Sequence, residues 1–208
     1  MRIAREGWPF IIGAVVVLAG LGFAGLGVLA VIWLIVTLWV VAFFRDPQPS
    51  GPQDSRWLLA PADGKVVSII ETDEPAFFGN RALRISIFMN VFDCHVNRYP
   101  AAGAVRYRHY HAGRFGHAAD EKASLDNEQS STGVETPHGP MLVRQIAGLV
   151  ARRIVTDHQV GTPVQQAERL GLIRFGSRVD LFLPVGTPVR VRVGDRTRVA
   201  RTVVAEWK

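Results

Sequence analysis

The longest uncharged stretch of this chain, residues 10–44, constrains its fold more than any other feature. It contains only apolar residues, glycines and Thr37, and it ends at Arg45. One transmembrane helix needs about 20 apolar residues and two need about 40, so the stretch is too long for one simple span and short for two. The glycine-rich segment 19–27 permits a turn in its middle. The sequence therefore predicts that residues 1–44 form an apolar helical hairpin that anchors the chain in a membrane.

Arginines flank this stretch on both sides. Arg2 and Arg5 precede it, and Arg45 and Arg56 follow it. A hairpin places all four on one side, which the positive-inside rule makes cytoplasmic. One long tilted helix and a signal peptide are the alternatives, but the apolar region of a signal peptide is normally about 7–15 residues long and ends at a small-residue cleavage site. The expected location is the cell (inner) membrane, with the rest of the chain on its cytoplasmic side.

Residues 45–208 are predicted to form a single domain, large enough to bury its own core. The chain has one cysteine, Cys94, which excludes an internal disulfide. The net charge of the chain is +6, and beside a membrane anchor this favours attraction to anionic lipid headgroups. No helix-turn-helix, zinc-finger or aromatic-basic signature is present, so a nucleic-acid partner is not expected.

The composition of this domain predicts a mainly β (α+β) fold, a compact antiparallel β-barrel or sandwich-like domain after the hairpin. The residues between 188 and 193 alternate valine with arginine, which is typical of a half-buried antiparallel strand. Gly194 and Asp195 supply a turn into the last strand. The polar middle, 113–139, is predicted to be a surface loop or a short helix. The β-branched runs that predict strands are 65–70, 82–89, 178–183, 188–193 and 198–207.

The pair Gly176 and Ser177 is the first candidate for chemistry. The hydroxyl of Ser177 is placed to attack the carbonyl of Gly176, and glycine permits the strained backbone that such an attack requires. Gly-Ser pairs are also common in turns. The pair therefore indicates a reactive bond only if other functional residues accompany it.

Two other segments carry such residues. Asp63 lies in a turn-forming segment, 59–66, where an Asx turn alone would explain it. His95 lies in the segment 90–100, which concentrates an acid, a thiol, an imidazole, an amide and a guanidinium. Each of these groups, if buried, must find a partner or lose hydration energy. A purely structural loop seldom carries all of them, which favours a functional role for His95.

A metal site built on the remaining histidines is the weaker hypothesis. His109 and His111 share a face if residues 107–111 form a strand, and His117 follows nearby. No cysteine or His-Glu motif completes the four ligands of a closed tetrahedral site. We therefore expect no metal.

Three motifs in order resemble those of the phosphatidylserine decarboxylase proenzyme family, in its short (type A) prokaryotic form. They are Pro-Ala-Asp-Gly-Lys-Val at 61–66, Phe-Asp-Cys-His-Val-Asn-Arg-Tyr-Pro at 92–100 and Arg-Phe-Gly-Ser-Arg-Val-Asp-Leu-Phe-Leu-Pro at 174–184. The apolar N-terminus, which ends in Phe-Phe-Arg-Asp-Pro, also matches. The resemblance implies a proenzyme that cuts itself between Gly176 and Ser177 into a β chain, 1–176, and an α chain, 177–208. These two chains would form a heterodimer, and a higher oligomer is left open.

The resemblance also implies the cofactor. Attack of Ser177 on Gly176 exchanges the amide for an ester, whose elimination and hydrolysis leave a covalent pyruvoyl group at position 177. Its ketone would form a Schiff base with the amine of phosphatidylserine and accept electrons as CO₂ departs, leaving phosphatidylethanolamine. No separate cofactor is required.

The resemblance assigns roles to the polar residues as well. His95 is the expected proton donor, since an imidazole titrates near neutrality, and Asp63 belongs to the group that prepares Ser177 for self-cleavage. Longer bacterial relatives carry a second histidine where this chain has Arg98. Either His95 serves both steps, or Arg98 stabilises an oxyanion or binds the phosphate or carboxylate of the substrate. Arg178, which stands where many relatives have threonine, either binds an anionic substrate group or points to solvent.

The sequence is also compatible with two other classes of function. A membrane-tethered serine hydrolase could use the same residue types, but Gly-x-Ser-x-Gly is absent and Ser177 leads into a predicted strand, not a helix. A non-enzymatic β-domain adaptor would remain a single chain and tolerate Ser177→Ala.

Overall fold

The computed structural model describes residues 2–52, 54–113, 127–148, 153–174 and 177–208. The chain divides into two units, Met1–Gln48 and Pro49–Lys208.

The first unit is a helical hairpin, as the apolar stretch predicts. A short strand pair closes its base, and a 3-10 turn, Arg5–Gly7, leads into the first helix. The chain reverses between the helices, where Gly25 has a φ of +70°, a conformation that favours glycine. The single long helix is therefore the wrong alternative. The elements of this unit are β1 (Arg2–Ile3), α1 (Trp8–Phe23), α2 (Gly27–Phe43) and β2 (Arg45–Asp46).

Polar groups inside the hairpin bond to backbone carbonyls. The indole of Trp33 in α2 donates to the carbonyl of Ala14 in α1 (2.9 Å), and the Thr37 hydroxyl donates to the carbonyl of Trp33 (2.8 Å). The helical stretch Arg5–Phe23 is long and apolar enough to cross a membrane, and α2 is equally apolar but shorter. These features indicate membrane association of the hairpin.

The second unit is built of antiparallel strands, which confirms the mainly β prediction. Eight of them form one sheet in the order β11-β7-β8-β9-β13-β5-β4-β14, while β10-β12-β6 and β15-β3 form smaller sheets. The strands are β3 (Trp57–Leu59), β4 (Gly64–Glu74), β5 (Asn80–Met89), β6 (Val96–Arg98), β7 (Gly103–His111), β8 (Gln129–Thr136), β9 (Gly139–Ala147), β10 (Ile154–Thr156), β11 (Pro163–Val164), β12 (Arg169–Ile173), β13 (Ser177–Leu183), β14 (Arg196–Thr197) and β15 (Val203–Glu206).

The main core lies on one face of the eight-stranded sheet. In β13, Val179, Leu181 and Leu183 belong to this core, and they pack with residues such as Ile85 and Ile87 of β5. Side chains alternate between the faces of a strand, so Ser177 lies on the same face as Val179. We call this the inner face, and the face that carries the intervening residues of β13 the outer face.

The eight-stranded sheet has two ends. Ser177 is paired with Met89 of β5 and Ala147 of β9, and Lys65 of β4 is paired with Arg196 of β14. The end of the sheet where β5 and β9 finish and where β4 and β13 begin is named the Ser177 end. The opposite end is named the far end.

The expectation of a loop or short helix over 113–139 is wrong for its second half. Residues Gln129–Thr136 form β8, which lies between β7 and β9. Two of its buried hydroxyls have partners on neighbouring strands: Ser130 bonds to Thr156, and Ser131 accepts a bond from Arg144. Residues 114–126 of the expected loop lie outside the described residues.

The predicted strand over 188–193 is also wrong in its extent. Only Val189 forms a bridge, to Ala205. The chain then turns away, and Gly194 donates to the carbonyl of Val66 (2.8 Å), which removes the segment from a continuous ladder. The turn at Gly194 is confirmed, with a φ of +101°.

The last strand is shorter than the predicted run 198–207. It spans Val203–Glu206, because a turn precedes it in which Arg201 and Thr202 both donate to the carbonyl of Arg198. Ala200 in this turn has a φ of +52°.

Candidate active site

Ser177 is the first residue of β13 and is fully buried. Strands β5 and β9 flank it, opposite Met89 and Ala147. Its hydroxyl donates to the Met89 thioether (Oγ to Sδ, 3.6 Å). Sulfur is a weak acceptor, so this contact does not bind the hydroxyl tightly. Gly176, the other half of the predicted cleavage site, lies outside the described residues.

A chain of buried polar side chains continues from Met89. Asn97 Nδ2 donates to the same sulfur (3.7 Å), and Gln145 Nε2 donates to Asn97 Oδ1 (2.8 Å). Thr156 Oγ1 donates to Gln145 Oε1 (3.1 Å) and lies 2.9 Å from Ser130 Oγ. Asn97 and Gln145 are fully buried, and a buried amide is costly unless it is hydrogen-bonded. This amide chain therefore ties strands β5, β6, β8, β9 and β10 together beside Ser177.

His95 lies at the Ser177 end and is fully buried. Its Nδ1 is 3.1 Å from the carbonyl oxygen of Asp93, and its own carbonyl accepts a bond from the amide of Ile173 (3.3 Å). Ile173 ends β12, shortly before Ser177, and Asn97 of the amide chain is two residues beyond His95. The structure thus places the motifs of His95 and Ser177 against the same group of strands.

Asp63 joins three segments that are distant in sequence. Its Oδ2 accepts a bond from the amide of Cys94 (3.3 Å), next to His95, and its Oδ1 accepts one from the amide of Val199 (2.7 Å). The Asx-turn explanation is wrong, because both bonds are long-range. The carboxylate holds the His95 segment against the C-terminal part of the chain.

Arg98 and Arg178 are both buried, and protein acceptors bind both guanidiniums. Arg98 Nη1 donates to the carbonyl of Ala167 (2.9 Å), a residue with a φ of +66°. Arg178 forms two 2.9 Å bonds to Asp180, on the outer face. Only 2% of Arg178 is exposed, so the expectation that it points to solvent is wrong.

Tyr99, the residue after Arg98, is neutral at physiological pH. Burial raises its pKa, and its hydroxyl lies 3.3 Å from His158 Nδ1. This contact joins the end of the His95 motif to the segment after β10.

The exposed histidines do not join this site. His109 and His111 alternate along β7 and share its outer face, as the strand hypothesis requires. His117 lies outside the described residues. Within the described ranges, no group of three or more His, Cys, Asp and Glu side chains is arranged to hold a metal ion.

Sequence reasoning missed most of the amide chain. Met89 lies in a run that predicts an ordinary strand, Gln145 lies in a segment for which the sequence predicts no element, and Ser130 lies in the segment assigned to a loop or short helix. Gln145 offered one usable signal, since an amide inside an otherwise buried strand needs partners.

Comparison with known proteins agrees with the order of these motifs. A family model described as phosphatidylserine decarboxylase matches residues 36–205. A phosphatidylserine decarboxylase proenzyme of Paraburkholderia xenovorans is 46% identical over 206 residues, covering 98% of this chain and 96% of the relative. Proteins of that name from Symbiobacterium thermophilum (46% over 203 residues; 97% and 94%) and Nitrosomonas europaea (43% over 206 residues; 99% and 95%) are similarly related. The similarity covers the hairpin and the β unit alike.

Proposed function

The chain belongs to the phosphatidylserine decarboxylase family, and from that premise we propose that it is a proenzyme whose Ser177 becomes the catalytic group. The enzyme is a carboxy-lyase that converts phosphatidylserine to phosphatidylethanolamine and CO₂. The observation that carries the assignment of Ser177 is its burial at the start of β13, beside the His95 motif and the amide chain.

The space around Ser177 fits a pyruvoyl group. This group keeps the Cα and Cβ of serine, loses the amine and carries no more heavy atoms than the serine it replaces. Met89 and Ala147, which are paired with Ser177 on the two neighbouring strands, would border the group. When formed, the group supplies a ketone that condenses with the amine of the substrate and accepts the electrons released as CO₂ leaves.

The weak hydrogen bond of Ser177 favours self-cleavage. The hydroxyl must leave its acceptor, lose its proton and attack the carbonyl carbon of Gly176, and a thioether acceptor costs little to abandon. Met89 and Ser177 are positioned by the pairing of β5 with β13, and the amide chain packs beside them. Ser177 is thus held in place by strand pairing on both sides, while its hydroxyl can still move.

Strand pairing also supports a stable association of the two chains after cleavage. Strand β13 pairs with β5 and β9, β14 pairs with β4, and β15 pairs with β3. Each of these pairs would join the α chain to the β chain. We propose that the two chains remain one folded heterodimer after cleavage.

His95 is the group we assign to proton transfer in both steps. Its burial at the Ser177 end and its short sequence distance from Asn97 support this role. Asp63 acts as a positioning residue, because its carboxylate holds the amide of Cys94 beside His95. The contacts of Arg98 and Arg178 favour supporting roles over substrate binding, since their guanidiniums already bond to Ala167 and Asp180.

The hairpin supports a location at the cell membrane. We propose that Arg2, Arg5 and Arg45 keep both ends of the hairpin on the cytoplasmic side. Protease treatment of sealed inner-membrane vesicles tests this sidedness: an enzyme domain on the outside of inverted vesicles is digested, and one inside them is protected.

The intact mass of the purified, membrane-reconstituted protein tests the proposed function. We expect two chains that divide between 176 and 177, with the smaller one blocked at its N-terminus and reactive toward a hydrazide. The same sample should release CO₂ from phosphatidylserine. A single uncut chain without decarboxylase activity would contradict the proposal and favour the hydrolase or adaptor alternatives.

A further inference from the structure

Two turns at the Ser177 end carry exposed apolar side chains. Val91 and Phe92 follow β5 directly and are 37% and 73% exposed. Val193 lies in a second turn and is 61% exposed. Phe92 is the first residue of the His95 motif, and most of its ring is exposed although the residues after it are buried. An exposed phenylalanine in such a motif points to contact with something outside this unit.

The two turns lie side by side. Asp93, next to Phe92, forms an ion pair with Arg196 (3.1 Å), and Arg196 is paired with Lys65 in the sheet. The turn that carries Val193 is bonded to the same strand as Lys65, because Gly194 donates to the carbonyl of Val66. Both turns therefore border the start of β4.

Cations surround these apolar side chains. Among the described residues, three acids lie beside them: Asp93 is paired with Arg196, Asp195 accepts a bond from the backbone amide of Arg192, and Asp63 accepts bonds from the amides of Cys94 and Val199. The four exposed cations still outnumber these acids. Apolar tips among cations suit the interface of an anionic bilayer, where the side chains enter the headgroup region and the cations face lipid phosphates and carboxylates. The exposed cations are Lys65, Arg192, Arg196 and Arg198.

We propose that this docking rim, made of Val91, Phe92, Val193 and the four cations, rests on the surface of an anionic lipid bilayer. The inference rests on the proposed function, because a lipid substrate must bring its headgroup to a buried Ser177. The rim turns the Ser177 end toward the membrane, so the headgroup travels a short path and the acyl chains stay near the bilayer. The hairpin anchors the chain, and the rim orients the enzyme.

A labelled cysteine tests the orientation. The full-length Phe92→Cys variant carries an environment-sensitive fluorophore in vesicles that contain phosphatidylserine and lipids bearing a quencher. Val185→Cys is the matched control, because Val185 is 47% exposed just beyond β13 at the far end. We expect strong quenching at position 92 and little at 185. Equal quenching at both positions, or none at 92, would overturn the proposal.

A charge-introducing pair tests the function of the rim. The Phe92→Glu/Arg198→Glu variant should lose at least about tenfold more activity on phosphatidylserine vesicles than on short-chain phosphatidylserine in detergent micelles, since its docking free energy is removed. The control pair, Arg81→Glu/Val185→Glu at the far end, should leave both activities unchanged. An equal loss of activity on vesicles and micelles, or no loss of activity, would overturn the proposal that the rim docks on the bilayer. Failure of the wild type on both substrates would instead refute the proposed function.

Discussion

Ser177 and Arg178 are neighbours on one strand and almost equally buried, yet their side chains have different kinds of hydrogen-bond partner on the two faces of β13. Arg178, on the outer face, is bound by both oxygens of Asp180 in a charge-assisted pair. Ser177, on the inner face, has a thioether as its hydrogen-bond partner. One strand thus holds a closed ion pair beside a weakly bonded hydroxyl, which is what the proposed attack by Ser177 requires.

The contrast extends across the sheet. On the outer face, Arg144 bonds to Glu74 (2.7 Å) and to Ser131 (3.0 Å), and its guanidinium lies 4.7 Å from the centre of the Phe182 ring. On the inner face, the polar groups that continue from Ser177 are neutral amides and hydroxyls. Ion pairs would create a strong fixed field beside the reactive group, whereas neutral partners hold it in place and leave its proton free to move.

Removing the Ser177 hydroxyl tests the proposed role of the inner face and has the largest expected effect. Ser177→Ala should abolish both cleavage and CO₂ release, because neither the nucleophile nor the precursor of the ketone remains. The alanine still fits the buried site, so the thermal stability should change little. Intact mass and a CO₂ assay measure the effect.

Ser86→Ala is the matched control for that variant. Ser86 is buried on β5, and its hydroxyl has no hydrogen-bond partner among the described residues. This variant should be cut and active. An uncut but folded Ser86→Ala protein, or a cut Ser177→Ala protein, would contradict the assignment of Ser177.

Removing the imidazole tests the proton transfer on the inner face. His95→Ala should lower the decarboxylation rate by about 10²–10⁴-fold, the usual contribution of a general acid or base. Because we assign His95 to both steps, cleavage should slow as well, which timed mass spectra of the nascent chain would show. His109→Ala, on the outer face, is the control. A His95→Ala protein that is fully cut and fully active would remove His95 from the mechanism.

Breaking the outer-face pair should affect stability more than chemistry. Arg178→Ala leaves Asp180 buried without its guanidinium, a change that typically costs about 3–5 kcal/mol. Denaturation is best followed in a Ser177→Ala background, where the chain stays uncut. The double change Arg178→Met/Asp180→Leu should recover most of the loss. If Arg178→Ala were as stable as its parent, the pair would not have the structural role assigned to it.

The smallest expected effect comes from the amide chain. Gln145→Leu leaves Asn97 and Thr156 without the partners they now have in Gln145, which should destabilise the protein by about 1–3 kcal/mol. Self-cleavage should also slow, because Asn97, which contacts Met89 beside Ser177, loses the side chain that positions it. Gln165→Leu, at an exposed position, is the control. Unchanged stability together with unchanged cleavage kinetics would exclude a positioning role for Gln145.

Local patterns predicted part of this molecule well. The hairpin and its turn near Gly25 follow from an apolar run interrupted by glycines. Strands β4, β5 and β13 follow from β-branched runs. The segment 188–193 shows the limit of this reasoning: its alternation is that of a strand, but it bonds to β15 only around Val189, and the chain then turns at Gly194, which bonds to β4. Alternation predicts which side chains are buried and does not say whether a ladder forms.

The candidate site was likewise predicted only in part. The motifs identified Ser177, His95 and Asp63, but not the thioether, Gln145 or the buried strand β8. From the sequence, Arg178 could have pointed to solvent, because a guanidinium is usually exposed unless it has a buried partner. Its partner, Asp180, lies two residues away, on the same face of the strand.

The apolar hairpin, the mainly β character of the rest and the order of three motifs follow from the amino-acid sequence, because each depends on residues close together in the chain. The bond of Asp63 to Val199, the bond of Gln145 to Asn97 and the placement of Phe92 and Val193 at one end of the sheet emerge only in the folded chain. These contacts depend on which strands pair and in which register. Many pairings satisfy the same alternation, and the packing of the whole core selects one of them.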